Sequence, residues 1–389
     1  MAEQTRPYTA LRVALFSGNY NMVRDGANQA LNRLVEYLLR QGAAVRVYSP
    51  TVAEPDFAPT GDLVSLSSLP FPFGRSEYRF PTGLGQRVRR DLAAFRPNVV
   101  HVSSPDVSAH RAVTWARRHG LPVLGSVHTR FETYPRYYNM AWMEPPIMAL
   151  MRRFYQRCDA LVAPSEGMAA ILREEGMNAD IGIWSRGVDR TNFHPGRRDP
   201  AWRQSLGLED DLPVIGFLGR LVMEKGLDVF ADTIDELTRR GVAHRVLVVG
   251  DGPARDWFAG RIPDAVFAGF QSGQDLGRAA ASMDVLFNPS TTETFGNVTL
   301  EAMACGVPVV AARATGSDSL VAEQISGRLV MPGAIEDFAD ALQTYAADPA
   351  LRAQHGAAGE ERSRAYAWDS INQTVADTYL RLIHQRSKV

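Results

Sequence analysis

Two glutamates flank a segment whose pattern predicts a loop followed by a helix. Glu293 and Glu301 are separated by seven residues within TETFGNVTLEAMACG. Asn297 or Thr299 is predicted to open the helix, and Gly306 to close it. Free N–H groups at a helix start attract phosphates, and each carboxylate would accept from sugar hydroxyls. This layout suits a nucleotide sugar. The alternative is a solvated Glu293 and a Glu301 that only interacts with the helix dipole.

A second group of charges follows the strand predicted at residues 214–218. There the sequence GRLVMEKG begins at Gly219 and carries Arg220 and Lys225. Two cations on a glycine-flanked loop suit a diphosphate leaving group, because they would neutralise its developing charge. Glu224 is predicted to orient one of them. The alternative is an exposed loop whose arginine and lysine are solvated.

Two glycine turns give weaker signals. Gly252 follows the strand predicted at residues 245–249, but any tight strand-to-helix turn favours glycine. Gly26 ends the loop after the strand predicted at residues 12–17, so the backbone there can approach a phosphate or a sugar closely. An ordinary helix start with Asp25 as its N-cap would give the same pattern.

Polar side chains also end two strand-like stretches in the first half. His128 ends LPVLGSVH, and the carboxyl end of a parallel strand is where ligands bind, so His128 is predicted to meet a sugar hydroxyl. Arg186 and Asp189 in SRGVD are predicted to reach the same cleft. A lone histidine is more often structural, and that alternative stays open.

Composition excludes several classes of protein. The chain has 389 residues and a formal net charge of −1, so it is not a polycation built to bind nucleic acid. Residues 1–195 hold 23 Lys and Arg against 17 Asp and Glu, and the remainder holds 19 against 26. The basic half favours an anionic partner such as a membrane surface. Cys158 and Cys305 have no metal-ligand spacing. No signal peptide or membrane span is evident, so we expect a cytoplasmic protein.

Short apolar runs that alternate with helical patterns predict the fold. Strands are predicted at residues 12–17, 44–48, 99–102, 123–126, 160–163, 214–218, 245–249, 265–268, 285–287 and 308–312. Helices between them include residues 27–41 and 227–240, each followed by glycine. This alternation predicts an α/β protein of two doubly wound Rossmann-like domains that face each other across a cleft, where the ligand would bind.

The expected domains are residues 1–195 on the acceptor side and residues 196–367 on the nucleotide-sugar side. The seam is predicted near residues 193–200, because HPGRRDP has prolines, glycine and charge without periodicity. The tail at 368–385 is an amphipathic helix by pattern, and residues 368–389 are expected to pack back on the first domain.

An ordered series of motifs resembles glycosyltransferase family 4, whose fold is GT-B. The series covers essentially the whole chain and comprises the Gly26 loop, HTRFETY, APSEGM, RGVDRTNFHP, GRLVMEKGLD, VGDGP, ASMDVLFNPSTTETFGNVTLEAMACGVPVVAA and GRLVMPG. Within the family, VHVSSPD, HTRFETY and WSRGVD most resemble the branch of sulfoquinovosyl-diacylglycerol synthase and of mannosyltransferases acting on glycolipids.

The resemblance implies roles for particular residues. Glu301 would bind the ribose hydroxyls, Glu293 and His128 the donor sugar, and Arg220 and Lys225 the diphosphate. Such enzymes retain anomeric configuration and are expected to need no metal or other cofactor. Further donor-binding residues expected from the family are Gly26, Arg186, Gly219, Gly252, Phe295, Gly296, Asn297 and Val298. The chain departs from the family at Ala314–Thr315–Gly316, where two adjacent glycines are common.

Two stretches of the first domain, residues 71–90 and 131–157, mix aromatic residues with arginines. Such mixtures favour contact with anionic headgroups, so we expect a peripheral membrane protein at the inner face of the cell membrane, with a lipid or lipid-linked acceptor. The favoured function is hexosyl transfer, first from GDP-mannose and next from a UDP-sugar. A UDP-sugar epimerase of the same fold stays open. A dehydrogenase is disfavoured because SGNYNM lacks the glycines of G-x-G-x-x-G.

Overall fold

The computed structural model describes residues 8–23, 25–70, 79–128, 141–208 and 212–388. The chain forms two compact units. The first is Met1–Ser185 together with Trp368–Val389, and the second is Arg186–Ala367.

The first unit is built on a parallel sheet. Its strands are β1 (Arg12–Phe16), β2 (Ala44–Ser49), β3 (Asp62–Ser65), β4 (Ser68–Pro70), β5 (Arg79–Pro81), β6 (Val99–Val102), β7 (Val123–Ser126), β8 (Ala160–Ala163) and β9 (Ile181–Ile183). Its helices are α1 (Gly26–Arg40), α2 (Gln86–Phe95), α3 (Val107–Arg118), α4 (Glu144–Tyr155) and α5 (Glu166–Glu174). The sheet order is β3-β2-β1-β6-β7-β8-β9, and β4 pairs with β5 in a separate antiparallel hairpin.

The second unit repeats the design. Its strands are β10 (Val214–Leu218), β11 (Arg245–Val249), β12 (Val266–Gly269), β13 (Val285–Asn288), β14 (Val309–Ala312) and β15 (Gly327–Val330). Its helices are α6 (Pro200–Ser205), α7 (Leu227–Arg239), α8 (Arg255–Arg261), α9 (Gly273–Ala281), α10 (Asn297–Ala304), α11 (Thr315–Leu320), α12 (Ile335–Ala347) and α13 (Pro349–Ser363). The last helix, α14 (Trp368–Arg386), belongs to the first unit.

The strand order of the second sheet determines where a ligand can bind. The order is β12-β11-β10-β13-β14-β15, with parallel pairing throughout. The direction of winding reverses between β10 and β13. At such a switch point the loops after the two strands diverge, and ligands bind in the crevice between them. The crevice in this unit therefore lies between the loops that follow Leu218 and Asn288.

Alternating side chains of β10 supply both faces of the second sheet. Ile215 and Phe217 pack into one cluster with Phe230 of α7, whereas Val214 and Leu218 pack into another on the opposite face. Because both faces are covered, the strands read as continuous apolar runs. This is why short runs of Val, Ile and Leu predicted the strands from sequence.

The helix α14 packs on the first unit, although it follows the second unit in sequence. The Tyr8 hydroxyl donates to Asp377 Oδ1 at 2.8 Å, and Arg40 pairs with Asp369 at 2.5 Å. Among the helices of the described residues, none has both the length and the apolarity needed to cross a bilayer.

The boundary between the units differs from the predicted seam at residues 193–200. It lies at Ser185 and Arg186, because Val188 and Phe193 are buried in the core of the second unit. The Val188 N–H also donates to the Tyr366 carbonyl at 3.0 Å. A segment rich in proline, glycine and charge was thus mistaken for a linker.

Candidate functional site

The side chains of Lys225 and Glu293 meet at the switch point of the second sheet. Lys225 lies in the loop after β10, and Glu293 lies in the loop after β13. Lys225 Nζ donates to Glu293 Oε1 at 2.6 Å, with the side chains 28% and 16% exposed. Glu224 had been predicted to orient Arg220 or Lys225, and that prediction is wrong, because Lys225 pairs with Glu293 and no described carboxylate pairs with Arg220. The exposed Glu224 contributes its backbone carbonyl, which accepts from Thr292 Oγ1 at 3.2 Å.

Close backbone packing brings the two loops together. Gly226 adopts φ = 72°, a left-handed conformation that favours glycine. A Cβ atom at this position would lie 3.1 Å from the Pro289 carbonyl oxygen. The glycine therefore lets the loop of Lys225 press against the start of the loop of Glu293.

The helix α10 begins without a side-chain cap. Its N-cap is Gly296 at φ = 97°, and the Gly296 carbonyl accepts from Leu300 N at 3.1 Å. Within the described part of the chain, the N–H groups of Asn297, Val298 and Thr299 have no acceptor. They are the orphan donors of a helix start, which bind anions well.

The helix begins at Asn297, one of the two residues predicted to open it, but neither the Asn297 nor the Thr299 side chain caps it. The Thr299 hydroxyl is 3.2 Å from Asn288 Nδ2 and accepts its hydrogen bond at the end of β13. Asn297 is the first helical residue rather than the cap. Glycine at the cap position leaves the helix start open to a ligand.

Glu301 lies in the second turn of α10 and is half-buried. Burial, together with the nearby Glu293 carboxylate, raises the pKa of its carboxyl group to about 8, and burial is the larger of the two causes. Among the described residues, none donates a hydrogen bond to this carboxyl group. The site thus contains a carboxyl group without a hydrogen-bond donor in the described part of the chain, and a hydroxyl-bearing ligand would supply one.

The raised pKa of Glu301 predicts a pH dependence of stability. A group whose pKa rises on folding stabilises the protein below its unfolded pKa, here 4.5, and that contribution is lost as pH rises through about 8. Relative to Glu301→Gln, the free energy of unfolding of the unmodified protein should therefore fall between about pH 5 and about pH 9. Urea denaturation across this range measures it, with the exposed Glu336→Gln as control. A difference that stays constant with pH would contradict the prediction.

The glycines at the ends of β10 and β11 have a structural explanation. Gly219 adopts φ = 147° and Gly252 adopts φ = 159°. A Cβ atom on Gly252 would lie 2.4 Å from the Leu221 carbonyl oxygen, and one on Gly250 would lie 1.9 Å from the Gly219 carbonyl oxygen. Contact between the two loops thus accounts for glycine at positions 250 and 252 without a ligand.

The other predicted residues of the second unit have varied surroundings. Arg220 is exposed, and no described carboxylate pairs with it. Phe295 is buried, with its ring centroid 5.8 Å from that of Tyr366, so only its backbone is placed to meet a ligand. Val298 is half-buried. Arg186, at the start of this unit, is buried.

Two predicted residues, Gly26 and His128, belong to the first unit. Gly26 is the first residue of α1, and the Asp25 carboxylate caps that helix by accepting from Asn28 N at 2.8 Å. His128 follows β7, and its Nε2 lies 2.9 Å from the Ser126 hydroxyl. Of the motif HTRFETY, only His128 is within the described residues.

Gly316 is a further residue that shapes the site. Its N–H donates to the Glu293 carbonyl at 3.1 Å, and a Cβ atom there would lie 2.7 Å from the backbone of Phe295. Gly316 thus holds the loop between Glu293 and α10. Its neighbourhood had stood out only as a departure from the family pattern at residues 314–316.

Each of the two units matches a family model of glycosyltransferases. Residues 24–192 match the model for Glycosyltransferase Family 4, and residues 212–348 match the model for Glycosyl transferases group 1. The two matches lie on either side of the boundary at Ser185 and Arg186, apart from a few residues.

Individual relatives cover most of the chain. It is 31% identical to the sulfoquinovosyl transferase SQD2 of Arabidopsis thaliana over 88% of this chain and 68% of that protein. It is 30% identical to a GDP-mannose-dependent alpha-mannosyltransferase of Mycolicibacterium smegmatis, over 97% of this chain and 99% of that protein. The structure of sucrose-phosphate synthase from Thermosynechococcus elongatus matches with a TM-score of 0.80 at 21% identity, over 96% of this chain and 100% of that one.

Proposed function

The chain belongs to glycosyltransferase family 4 and has the GT-B fold, and from this premise we propose that it transfers a mannosyl group from GDP-mannose to a lipid or lipid-linked glycan acceptor, with retention of anomeric configuration. One observation carries the proposal within the molecule. The uncapped start of α10 and the Lys225–Glu293 pair lie on loops that leave the switch point between β10 and β13. The near full-length similarity to a GDP-mannose-dependent enzyme supports mannose as the first candidate.

In this proposal the leaving diphosphate is stabilised by two kinds of donor. The N–H groups of Asn297, Val298 and Thr299 bind phosphate oxygens, and the side chains of Lys225 and Arg220 neutralise the negative charge that develops as the glycosidic bond breaks. These groups would neutralise the diphosphate charge that a divalent metal ion neutralises in other transferases. Transfer is therefore expected to continue in the presence of EDTA.

The two glutamates bind hydroxyl groups in this proposal. Glu301, which has no described hydrogen-bond donor, accepts from the ribose hydroxyls. Glu293 accepts from the sugar once Lys225 turns to the diphosphate. In the free protein Lys225 and Glu293 neutralise each other. Binding of the nucleotide sugar therefore replaces this one charge-assisted contact with two, Lys225 to the diphosphate and Glu293 to the sugar.

This exchange predicts opposite effects of Glu293→Gln on binding and on turnover. Glutamine removes the carboxylate that competes for Lys225, so the free nucleoside diphosphate should bind several-fold more tightly, whereas kcat should fall by about 100-fold because the sugar contact is lost. Calorimetry with GDP and UDP, followed by steady-state kinetics, measures both. Glu224→Gln, on the adjacent loop, is the control. Weaker diphosphate binding by Glu293→Gln would refute the exchange.

The nucleotide and the sugar can be identified by ligand-induced stabilisation. UDP, GDP, UDP-glucose and GDP-mannose are compared in thermal unfolding, where a ligand at 100-fold its Kd adds about 2.7 kcal/mol. Products are then sought with each donor in EDTA. Stabilisation by GDP-mannose with mannosyl transfer is the expected result. Epimer formed from a UDP-sugar without acceptor would replace the transferase proposal with an epimerase.

A second donor class also has support. The similarity to a sulfoquinovosyl transferase extends over 354 residues and is about as high as that to the mannosyltransferases. Stabilisation by UDP and UDP-glucose but not by GDP would therefore favour a UDP-sugar donor, with a glucosyl or sulfoquinovosyl group transferred to a lipid or a small-molecule acceptor.

The surface of the first unit supports a membrane-bound acceptor. Large apolar side chains are exposed at Leu69, Phe80, Trp142 and Leu150, at 61%, 43%, 74% and 50%. Within the stretches 71–90 and 131–157, residues 71–78 and 131–140 lie outside the described part of the chain. Aromatic and aliphatic side chains of this kind settle in the interfacial region of a bilayer.

A basic cavity in the same unit adds an electrostatic contribution. It has a volume of about 300 Å³ and is lined by residues that include Arg89, Arg111, Arg118 and Arg157. No described carboxylate pairs with any of these four arginines. Each arginine near an anionic surface contributes about 1 kcal/mol.

Vesicle binding tests the membrane proposal. The protein should sediment with phosphatidylglycerol vesicles and less with phosphatidylcholine vesicles, in a salt-sensitive manner. Arg111→Ala with Arg118→Ala should weaken binding by about tenfold or more, whereas Arg255→Ala in the second unit should not. Equal binding to both lipids would count against an anionic membrane surface.

A further inference from the structure

A chain of buried hydrogen bonds connects His128 to the last helix. The Ser126 hydroxyl lies 2.9 Å from His128 Nε2 and 2.8 Å from His101 Nε2. His101 Nδ1 lies 2.6 Å from the Tyr379 hydroxyl on α14. His101, Ser126 and Tyr379 are all essentially inaccessible to solvent. All four residues of this hydrogen-bonded series belong to the first unit. The sequence had predicted a role in the site only for His128.

Aromatic packing fixes the rings of His101 and His128. Trp184 lies edge-on to both histidines, with centroids 5.9 Å from His101 and 5.4 Å from His128. Its indole N–H donates to Asn372 Oδ1 at 3.2 Å, and the Asn372 amide donates to the Arg33 carbonyl at 3.2 Å. The two histidine rings therefore pack against Trp184, and hydrogen bonds to α14 and α1 fix the position of Trp184.

The direction of the hydrogen bonds follows from the proton count. Burial lowers the pKa of His101 to about 3, so its ring is neutral and has one donor and one acceptor nitrogen. Burial also raises the pKa of the Tyr379 hydroxyl, which therefore keeps its proton. Among the described residues, the Tyr379 hydroxyl has His101 as its sole hydrogen-bond partner.

Only one direction leaves no buried donor unsatisfied. If His101 Nδ1 donated to Tyr379, the tyrosine proton would have no acceptor among the described residues, which is unfavourable for a buried hydroxyl. Tyr379 therefore donates to His101 Nδ1, and His101 Nε2–H donates to Ser126. The Ser126 hydroxyl in turn donates its hydrogen bond to His128 Nε2. The remaining proton of a neutral His128 ring lies on Nδ1.

We propose that Tyr379, His101 and Ser126 are positioning residues that fix the Nδ1–H tautomer of His128, so that His128 donates a hydrogen bond to a sugar hydroxyl of the substrate. The second half of this statement rests on the proposed function, whereas the first half concerns the protein alone. An imidazole whose tautomer is set in advance offers a donor to the substrate without rearranging.

Nuclear magnetic resonance tests the tautomer without any substrate. Long-range proton–nitrogen spectra of the full-length protein, labelled with ¹⁵N at its eight histidines and assigned with His128→Gln, should show a protonated Nδ1 and an unprotonated Nε2 for His128. Tyr379→Phe and Ser126→Ala should each give a mixture of tautomers. A protonated Nε2 in the unmodified protein, or spectra unchanged in both variants, would overturn the proposal.

A matched control is present in the second unit. There the Tyr345 hydroxyl lies 2.7 Å from His355 Nδ1, another buried tyrosine–histidine pair. Tyr345→Phe removes the same atom at a similar depth and should leave the His128 signals unchanged. Ser126→Ala serves as the second variant if Tyr379→Phe unfolds.

A double-mutant cycle tests the positioning role. Tyr379→Phe should lower kcat by roughly tenfold in the unmodified protein and have no further effect in His128→Gln. An equal loss in both backgrounds would show a merely structural role and refute the proposal. If no sugar is transferred by the unmodified protein, the proposed function fails, but the spectra still decide the tautomer.

Discussion

Lys225→Ala is expected to lower kcat/KM for sugar transfer by about 100- to 1,000-fold, the usual effect of removing one preorganised donor to a developing negative charge. The lysine lies at the switch point of the second sheet, where Glu293 holds it at 2.6 Å in the free protein. Stability should change by only about 1 kcal/mol, because a partly exposed ion pair contributes little. Steady-state kinetics and thermal unfolding together measure the two effects.

The composition of the chain provides a control for this experiment. Lys225 and Lys388 are its two lysines, and Lys388 is exposed at the carboxyl end. Lys388→Ala should keep full activity. Lys225→Arg should recover part of the loss, since guanidinium keeps the charge but differs in shape. Near-normal activity of Lys225→Ala in a folded protein would remove this residue from the site.

Reductive methylation with ¹³C gives an independent measurement. Besides the amino terminus, it labels just these two side chains, so their signals are easily separated. Addition of the cognate nucleoside diphosphate should shift the Lys225 signal and leave the Lys388 signal in place. A shift at neither lysine would exclude direct contact between Lys225 and the diphosphate.

Glu301→Ala should lower kcat/KM by about 100-fold, mainly through weaker binding of the nucleotide. With its raised pKa this group is mostly neutral near pH 7, and hydrogen bonds between neutral groups contribute about 0.5–1.5 kcal/mol each, so the loss of contacts to both ribose hydroxyls accounts for a change of this size. The folded protein should tolerate the change well, because this carboxyl group has no described donor and burial opposes its ionisation. The free energy of unfolding should therefore not fall.

The ribose contact can be separated from a general effect on α10. A 2′,3′-dideoxy nucleotide should bind the unmodified protein about 100-fold more weakly than the normal nucleotide, and Glu301→Ala should bind both equally. Glu336→Ala, at the start of α12, is the surface control. Discrimination between the two nucleotides that persists in Glu301→Ala would place the ribose elsewhere.

The sequence predicted the elements of the fold well because local signals define them. The helix predicted at residues 227–240 is Leu227–Arg239, and the strand predicted at residues 214–218 has those bounds in the structure. A glycine follows the helix, and buried apolar residues define the strand. The edge strands Asp62–Ser65 and Gly327–Val330 were missed, because partial exposure weakens their apolar pattern.

The site contacts were harder to predict because they depend on strand order. The partner of Lys225 is 68 positions away and reaches it only because β10 and β13 are neighbours. From sequence, the adjacent Glu224 was the obvious choice. The Tyr379–His101 contact spans 278 positions and was likewise hidden, although a histidine in the apolar run VVHV was a visible clue.

The placement of α14 has a consequence for synthesis on the ribosome. The amino-terminal half of the chain emerges first, yet Tyr8 and Arg40 contact Asp377 and Asp369, which are translated only after the second unit. The nascent second unit is thus complete before the first one is. Losing α14 would consequently damage the part of the polypeptide that is made first, and partial products of translation would expose its apolar surface to proteases and chaperones.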